Sequence, residues 1–386
     1  MIQKAADAPH YCEGAAQLEL GGGFFRPESR PSRDCSVLLA RCLALQRPPR
    51  LLDLMAGCGI RSLRWGLEAQ PALVWANDAD PDRLPVLERN LAALPPGLER
   101  RCTALTAQQL LAGCLQRQER FDLVDLDAFG CVSDLLPLAL EAVSFGGVLL
   151  LASTDGRSPT GHDRPAAVRR LGAAARAHPA SWELALRLQL GTVARSAWAL
   201  GRGIEPLLCF SEGRTYRTAV RLVRRPRSGE ETNLGLLAHC HGCGDQQVQS
   251  LLNLRRWPPC ACDPTPLPAL AVSGPLWTGA LQDPATISAM LEQASLSPPT
   301  LAVDGERLLR RLADDPAATA RCWPTEAIAR ALGLGQPPLA ALVAELRAQG
   351  FNASASAVMA GQLRSDAPWP RILETARGLL ATTAAR

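Results

Sequence analysis

The chain has 386 residues, more than one hydrophobic core usually serves, so two domains are expected. With 47% hydrophobic and 20% charged residues it has the composition of an ordinary globular protein, and its longest apolar region, 135–152, is interrupted by Pro137, Glu141 and Gly146-Gly147, which leaves no membrane span there. The net charge of +4 permits a nucleic-acid partner without requiring one.

The start, MIQKAADAPHYCEGAAQ, lacks the apolar core of a secretory leader, so a cytoplasmic location is expected. Thirteen cysteines in a reducing compartment are then free thiols or metal ligands. The first helical spacing falls at 34–46 (DCSVLLARCLALQ). From Leu51 onward, strands and helices alternate. LLDLM is a strand, AGCG a turn and IRSLRWGLEAQ a helix; ALVWANDAD and PDRLPVLERNLAAL repeat the pair, as do RCTAL and TAQQLLAGCLQRQ. FDLVDLDAF, the helix VSDLLPLALEAV and the strand GGVLLLAS follow, and IEPLLCFS with TYRTAVRLVR reads as a hairpin. This alternation predicts a doubly wound parallel sheet.

Composition shifts near Arg224. RRPRSGEETN reads as a linker, 258–268 is proline-rich, and helical patterns dominate beyond it: DPATISAMLEQA, GERLLRRLADD, TEAIARALGL and PPLAALVAELRAQGF. The last two, joined across Gly-Gln-Pro-Pro, resemble the start of a helix-turn-helix unit, though compact accessory helices without a DNA role explain them better. Two domains are expected, 1–225 and 226–386.

Three stretches of the first domain carry chemistry. In DLMAGCGIRS a strand ends at Asp53, and Gly57 and Gly59 open a helix, which is how an α/β sheet presents backbone N–H groups to a ligand. Asp78 follows about twenty residues later at the next strand end, where an acid holds ribose hydroxyls; capping of the helix before Pro81 is the competing role. These two features suit NAD and S-adenosylmethionine equally. FDLVDLDAFG separates them. Asp122, Asp125 and Asp127 thread through an apolar strand, which is costly unless the charges are paired or used. Asp127-Ala-Phe-Gly resembles the Asp/Asn-Pro-Pro-aromatic loop of amino-group methyltransferases, in which the acceptor oxygen takes a hydrogen bond from an exocyclic amine and the ring stacks on the base.

With these motifs in order, the chain resembles the tRNA (guanine-26, N2)-dimethyltransferase family almost end to end. FFRPESRPSRD, LDLMAGCGIRSLRWGLE, VWANDAD, FDLVDLDAFG, STDGRSP, GIEPLLCFSEGRTYRTAVRL, GPLWTGAL and LVAELRAQGFNAS each match a family segment. The resemblance implies a Rossmann-like class I methyltransferase domain followed by a smaller α+β C-terminal domain that grips tRNA, with no DNA or membrane partner. Methyl groups would pass from S-adenosylmethionine to N2 of guanine-26, and guanine-27 is a further candidate. Arg33 and Arg61 would meet the cofactor's methionyl carboxylate, Asp53 its amino group, Asp78 its ribose, and Thr106 and Ala107 its adenine. Asp127 would accept the guanine N2 hydrogens, with Phe129 walling the base. Two rivals are an amino-methyltransferase acting on adenine in DNA or rRNA, and a tRNA-binding protein that has lost transfer. The chain departs from the family at Thr106, where an acid is usual, at Ala128, where proline is usual, and in the tail segment SASAVMAGQLRSDAP.

Cys240 and Cys243 form a C-x2-C pair and Cys260 and Cys262 a tighter C-x-C pair, with sixteen residues between the pairs. That separation, and the paired cysteines common at this place in the family, point to structural zinc, with His239, His241 and Asp263 as reserve ligands; ordinary thiols are the alternative. Arginine runs at 221–227, 255–256 and 310–311 are expected to face tRNA phosphates, against a reading as scattered solvated side chains.

Overall fold

The computed structural model describes residues 10–260, 262, 270–296 and 301–384. Its centre is a seven-stranded sheet of β1 (Arg50–Asp53), β2 (Leu73–Asp78), β3 (Glu99–Ala104), β4 (Phe121–Asp127), β5 (Val143–Ser153), β6 (Gly203–Glu212) and β7 (Thr215–Val223). The order across the sheet is β3-β2-β1-β4-β5-β7-β6. β1 to β5 run parallel, and β7 is antiparallel to both β5 and β6, so the last two strands form the expected hairpin. Helices Ile60–Glu68, Leu84–Leu91, Ala107–Gln116 and Leu136–Ala142 follow the first four strands in turn. Strand order reverses between β1 and β4, and such a switch point leaves a crevice at the carboxyl ends of the two strands. Asp53 and Asp125 are register partners there.

Both faces of the sheet are covered. One core holds Phe121, Leu126, Leu140, Leu186, Leu190 and Val220. The other holds Leu38, Leu39, Trp65, Leu87, Leu150 and Phe210. Covering on both faces explains why Leu51-Leu52 in β1, 73–76 in β2 and 148–152 in β5 read as continuous apolar runs.

The 19-residue helix Ser181–Ala199 has no clear apolar stripe in the sequence, because it is buried all round. One side packs on the sheet through Leu186, Leu190 and Val193, the other on strand Leu270–Trp277 through Leu184 and Leu188. A Cβ at Gly191 would lie 2.9 Å from the Leu276 Cα, so only glycine lets the two backbones approach this closely.

Beyond β7 the structure differs from the expected run of helices. Strands Leu234–Cys240, Gln246–Ser250 and Leu270–Trp277 form one antiparallel sheet, and Cys322–Pro324, Gln362–Ser365 and Ala353–Ala355 another. Segments such as QQVQS and QLRS are short and polar, so no alternation marks them. Stretch 224–233 is pinned instead of loose. Glu230 is buried and accepts hydrogen bonds from the Trp198 indole (2.7 Å) and from the Ile204 (2.9 Å) and Arg227 (3.0 Å) N–H groups.

Helices Pro284–Leu296 and Val303–Asp314 pack on helix Arg30–Ala44, and Ile287, Met290 and Leu309 join the core of the first domain. The core is therefore continuous across residue 225. A separate small core surrounds Trp323 and Trp369, whose rings stack at 5.4 Å. There, helices Thr325–Leu332 and Leu339–Ala348 both pack on helix Trp369–Ala384, and two paired strands follow them. The second helix exposes Ala340, Ala344, Glu345, Arg347 and Ala348, and Arg347, the one cation among these five, donates to the Ala353 carbonyl (2.6 Å). That face offers little to a phosphate backbone.

Candidate active site

The crevice floor is the turn after β1. Gly57 and Gly59 both have positive φ (56° and 79°), and a Cβ at Gly59 would press on Leu87 at 2.9 Å. The turn is tied to its neighbours: Leu54 N–H donates to the Asp125 carbonyl (3.1 Å) and Ala56 N–H to that of Asn77 (2.7 Å). Asn77, fully buried, donates in turn to the carbonyls of Leu54 (3.0 Å) and Leu105 (2.8 Å). Asp78 ends β2 and accepts the N–H groups of Gly57 (2.9 Å) and Asp80 (3.0 Å). Capping of the short helix Pro81–Arg83 falls to Asp80, which accepts the Asp82 N–H. Asp78 is thereby left beside the glycine turn, half-buried.

Four carboxylates and two guanidiniums make up the charged end of the crevice. Arg61, in the first turn of its helix, bonds Asp125 and reaches Asp127 Oδ2 at 3.2 Å. Arg217 of β7 bonds the same Oδ2 at 3.0 Å and Glu212 at 2.7 Å. Asp53 takes the Ser62 hydroxyl at 2.8 Å. Burial pushes Asp125 up to about 7 and Asp53 up to about 6, because one guanidinium cannot compensate both carboxylates. Burial acts on Asp127 in the same direction, but Arg217 and Arg61 together outweigh it and hold its pKa below the ordinary value. Asp127 is thus held ionised by its two guanidinium partners. Both arginines use Oδ2, so Oδ1 has no hydrogen-bond donor among the described residues, and 29% of the side chain is open to solvent.

Past Asp127 the loop turns through Gly130 (φ 81°). Gly130 N–H donates to Thr154 Oγ1 (2.6 Å), and its carbonyl accepts from the Ser153 hydroxyl (2.8 Å) and Thr154 N–H (3.1 Å). These bonds fasten the loop in spite of Ala128. Phe129 is 75% exposed, and its ring meets that of Phe24, 69% exposed, edge-on at 5.1 Å.

Asp53, Asp78, Asp127 and Phe129 therefore converge on one crevice. Arg61 is at its centre, but its guanidinium is occupied by Asp125 and Asp127 and is not free for a cofactor carboxylate. Arg33 is buried with both Nε (2.8 Å) and Nη2 (2.6 Å) on Glu13. Thr106 has become a helix cap: its hydroxyl accepts Gln109 N–H (3.2 Å) while Gln109 Oε1 accepts Thr106 N–H (3.0 Å), and Ala107 is buried behind it. Sequence reasoning missed Phe24 and Arg217. Phe24 lay within the matched FFRPESRPSRD, and a buried arginine in the apolar strand TYRTAVRLV was the signal for an acid across the sheet.

The expected phosphate-facing run at 221–227 lies at the other end of the sheet. Arg217 is at the crevice end of β7, whereas Arg224, just past its far end, stacks on Phe145 at 4.5 Å, and Arg221 and Arg227 pair with Glu205.

The sulfur atoms of Cys240, Cys243, Cys260 and Cys262 lie within 4.8 Å of one another, with Cys240–Cys262 at 3.4 Å and Cys260–Cys240 at 3.6 Å. A tetrahedral zinc with bonds of about 2.3 Å sets its sulfurs roughly 3.8 Å apart, so this donor set fits the metal. His239 packs on His178 and His241 at 5.1 and 4.8 Å and is outside that cluster; Asp263 is outside the described residues.

Residues 19–377 match the family described as N2,N2-dimethylguanosine tRNA methyltransferase. The chain belongs to this family. It is 31% identical over 350 residues to the tRNA (guanine(26)-N(2))-dimethyltransferase of Methanosphaerula palustris, covering 89% of each chain. Over 371 residues it is 27% identical to the protein of that name from Pyrococcus horikoshii, covering 91% of each. Its fold matches the structure of Trm1 from Pyrococcus horikoshii with S-adenosyl-L-methionine at a TM-score of 0.84 and 24% identity, covering 95% of this chain and 99% of that one. The whole architecture is therefore that of the family, C-terminal core included.

Proposed function

We propose that the chain transfers methyl groups from S-adenosylmethionine to the exocyclic N2 of guanine-26 in tRNA. Family membership supports the reaction class, and the open Oδ1 of Asp127 beside an exposed phenylalanine carries the residue assignment. When bound, S-adenosylmethionine supplies an electrophilic methyl group. The residues' part is to bind and orient. The glycine turn leaves an open cradle, since a Cβ at Gly57 would meet nothing nearer than the Phe24 carbonyl at 4.0 Å. Asp78 beside it takes ribose hydroxyls, and the amino terminus of helix Ile60–Glu68 favours an anionic group. Asp53 completes the cofactor side. Thr106 and Ala107 border the adenine end.

Phe129 and Phe24 receive the extruded base. Asp127 Oδ1 accepts an N2 hydrogen and turns the nitrogen lone pair toward the methyl group, so orientation does most of the work. Arg61 and Arg217 keep Asp127 ionised and fix its rotamer. The C-terminal part grips the tRNA, and Cys240, Cys243, Cys260 and Cys262 hold one structural zinc that orders a loop with little apolar content. Metal analysis of protein purified without chelator should give one zinc per chain; none would overturn the zinc assignment. Mass spectrometry of nucleosides from tRNA treated with protein and S-adenosylmethionine should show N2-methyl- and N2,N2-dimethylguanosine at position 26. Unmodified guanosine would overturn the reaction.

A further inference from the structure

We infer that a groove beside the crevice, bordered by Arg26 and Arg214, binds an RNA phosphate adjoining the guanosine presented to Asp127. The inference rests on the tRNA reading above and names a contact for it. The groove has about 460 Å³ of open volume, and Arg26, Glu28, Ser29, Thr154, Glu212 and Arg214 line it.

Its position follows from hydrogen bonds already described. Thr154 is the residue to which the Asp127-Ala-Phe-Gly loop is fastened, through both the N–H and the carbonyl of Gly130. Arg26 stands two residues after Phe24, whose ring touches Phe129. On the other wall, Glu212 grips Arg217 at 2.7 Å, and Arg217 grips Asp127 at 3.0 Å. The groove is therefore one residue away from the base platform on each side. A base and its flanking phosphates are joined through one ribose, so a base on Phe129 brings its backbone into this groove.

Charge selects the occupant. Many surface arginines of this chain are neutralised by an acid: Arg101, Arg117, Arg120, Arg221, Arg227 and Arg310 each pair with a glutamate. Arg26 and Arg214 are exposed, and neither has a carboxylate partner among the described residues. The Glu212 carboxylate is already matched by Arg217 and by the Ser32 N–H at 3.2 Å, which leaves Glu28 as the single opposing charge. Two free guanidiniums, the Ser29 and Thr154 hydroxyls and an open trough suit a phosphodiester. The arginine run at 221–227, at the far end of the sheet, cannot serve this nucleotide.

The test is equilibrium filter binding of tRNA across a salt series, with wild type, the double variant Arg26→Ala/Arg214→Ala and the double variant Arg26→Lys/Arg214→Lys. Each phosphate contact contributes roughly 0.7–0.9 to the slope of log affinity against log salt. The alanine pair should flatten that slope by about one to two units and weaken binding at low salt at least about tenfold, at an unchanged melting temperature. The lysine pair should keep most of the slope. An alanine pair with the wild-type slope and affinity would overturn the groove. The readout needs no turnover, so the two claims separate. A flattened slope in a protein that methylates no guanine keeps the groove and sinks the reaction, and an unchanged slope in a protein that dimethylates tRNA does the reverse.

Discussion

Two of the buried clusters of arginine and carboxylate among the described residues, one around Arg364 and one around Arg61, differ in one respect. Around Arg364 every oxygen is taken. Asp315 Oδ1 accepts from Ala317 N–H (3.1 Å), the Ser354 hydroxyl (2.7 Å) and Arg364 Nε (2.8 Å), and its Oδ2 from Ala357 N–H (2.8 Å) and Arg364 Nη2 (3.0 Å). Glu183 gives Oε1 to Arg187 (2.8 Å) and Oε2 to Arg364 (2.6 Å). Around Arg61, by contrast, two guanidiniums crowd one oxygen of Asp127 and leave the other without a donor among the described residues. A saturated cluster joins helix Ser181–Ala199 to the C-terminal strands and has no capacity left for a ligand. An unsaturated one at a switch point has capacity, and it is there that we propose the site.

The contrast breaks most readily at Arg364. Arg364→Ala strands two buried carboxylates, which should cost about 3–5 kcal/mol of stability in chemical denaturation. A loss under about 1 kcal/mol would remove the distinction between the clusters.

Beside the open cluster, removing a carboxylate of the crevice should register in ligand affinity more than in stability. Asp78→Ala is expected to weaken S-adenosylmethionine binding by roughly 1.5–3 kcal/mol, the scale of lost charge-assisted hydrogen bonds. Calorimetric titration giving the wild-type affinity would return Asp78 to a purely local role at Gly57.

The smallest effect is in pH dependence. Asp125 keeps its proton in the folded chain up to about 7, whereas the unfolded chain releases it near 3.8. The folded state binds more protons through that window, so this group's contribution to stability falls as pH rises from about 4 to 7. Asp315 has the opposite sign: Arg364 outweighs burial and lowers its pKa, so its contribution is present at neutral pH and lost on acidification. Asp125→Asn should remove the first trend. Its stability relative to wild type should improve between about pH 4 and 7, and a constant difference would show that Asp125 does not titrate there.

Much of this was legible in the sequence. The strand-turn-helix around Gly57 and Gly59, the acid at the end of β2 and Asp127-Ala-Phe-Gly each carry their signal within a few residues. The partners of those residues do not. Arg217 lies ninety positions beyond Asp127, and only the sheet order β4-β5-β7 brings it there. Arg61 was visible but its role was not, because ion-pair partners across strands leave no local pattern. Helix Ser181–Ala199 was missed for the converse reason: burial on every side erased the periodicity by which surface helices are read.

The central claim is that Asp127 Oδ1 accepts the guanine N2 hydrogen, and Asp127→Asn tests it against Asp127→Ala. From sequence alone the amide oxygen of asparagine should restore an acceptor and more activity than alanine. The structure reverses that expectation. Arg61 and Arg217 are donors at the Oδ2 position and draw the amide oxygen there, which leaves the NH2 at the Oδ1 position facing another donor. Methyl transfer from labelled S-adenosylmethionine to tRNA should therefore fall by about 10²–10³-fold in both variants, with cofactor affinity retained. Transfer by either variant at close to the wild-type rate would contradict the assignment.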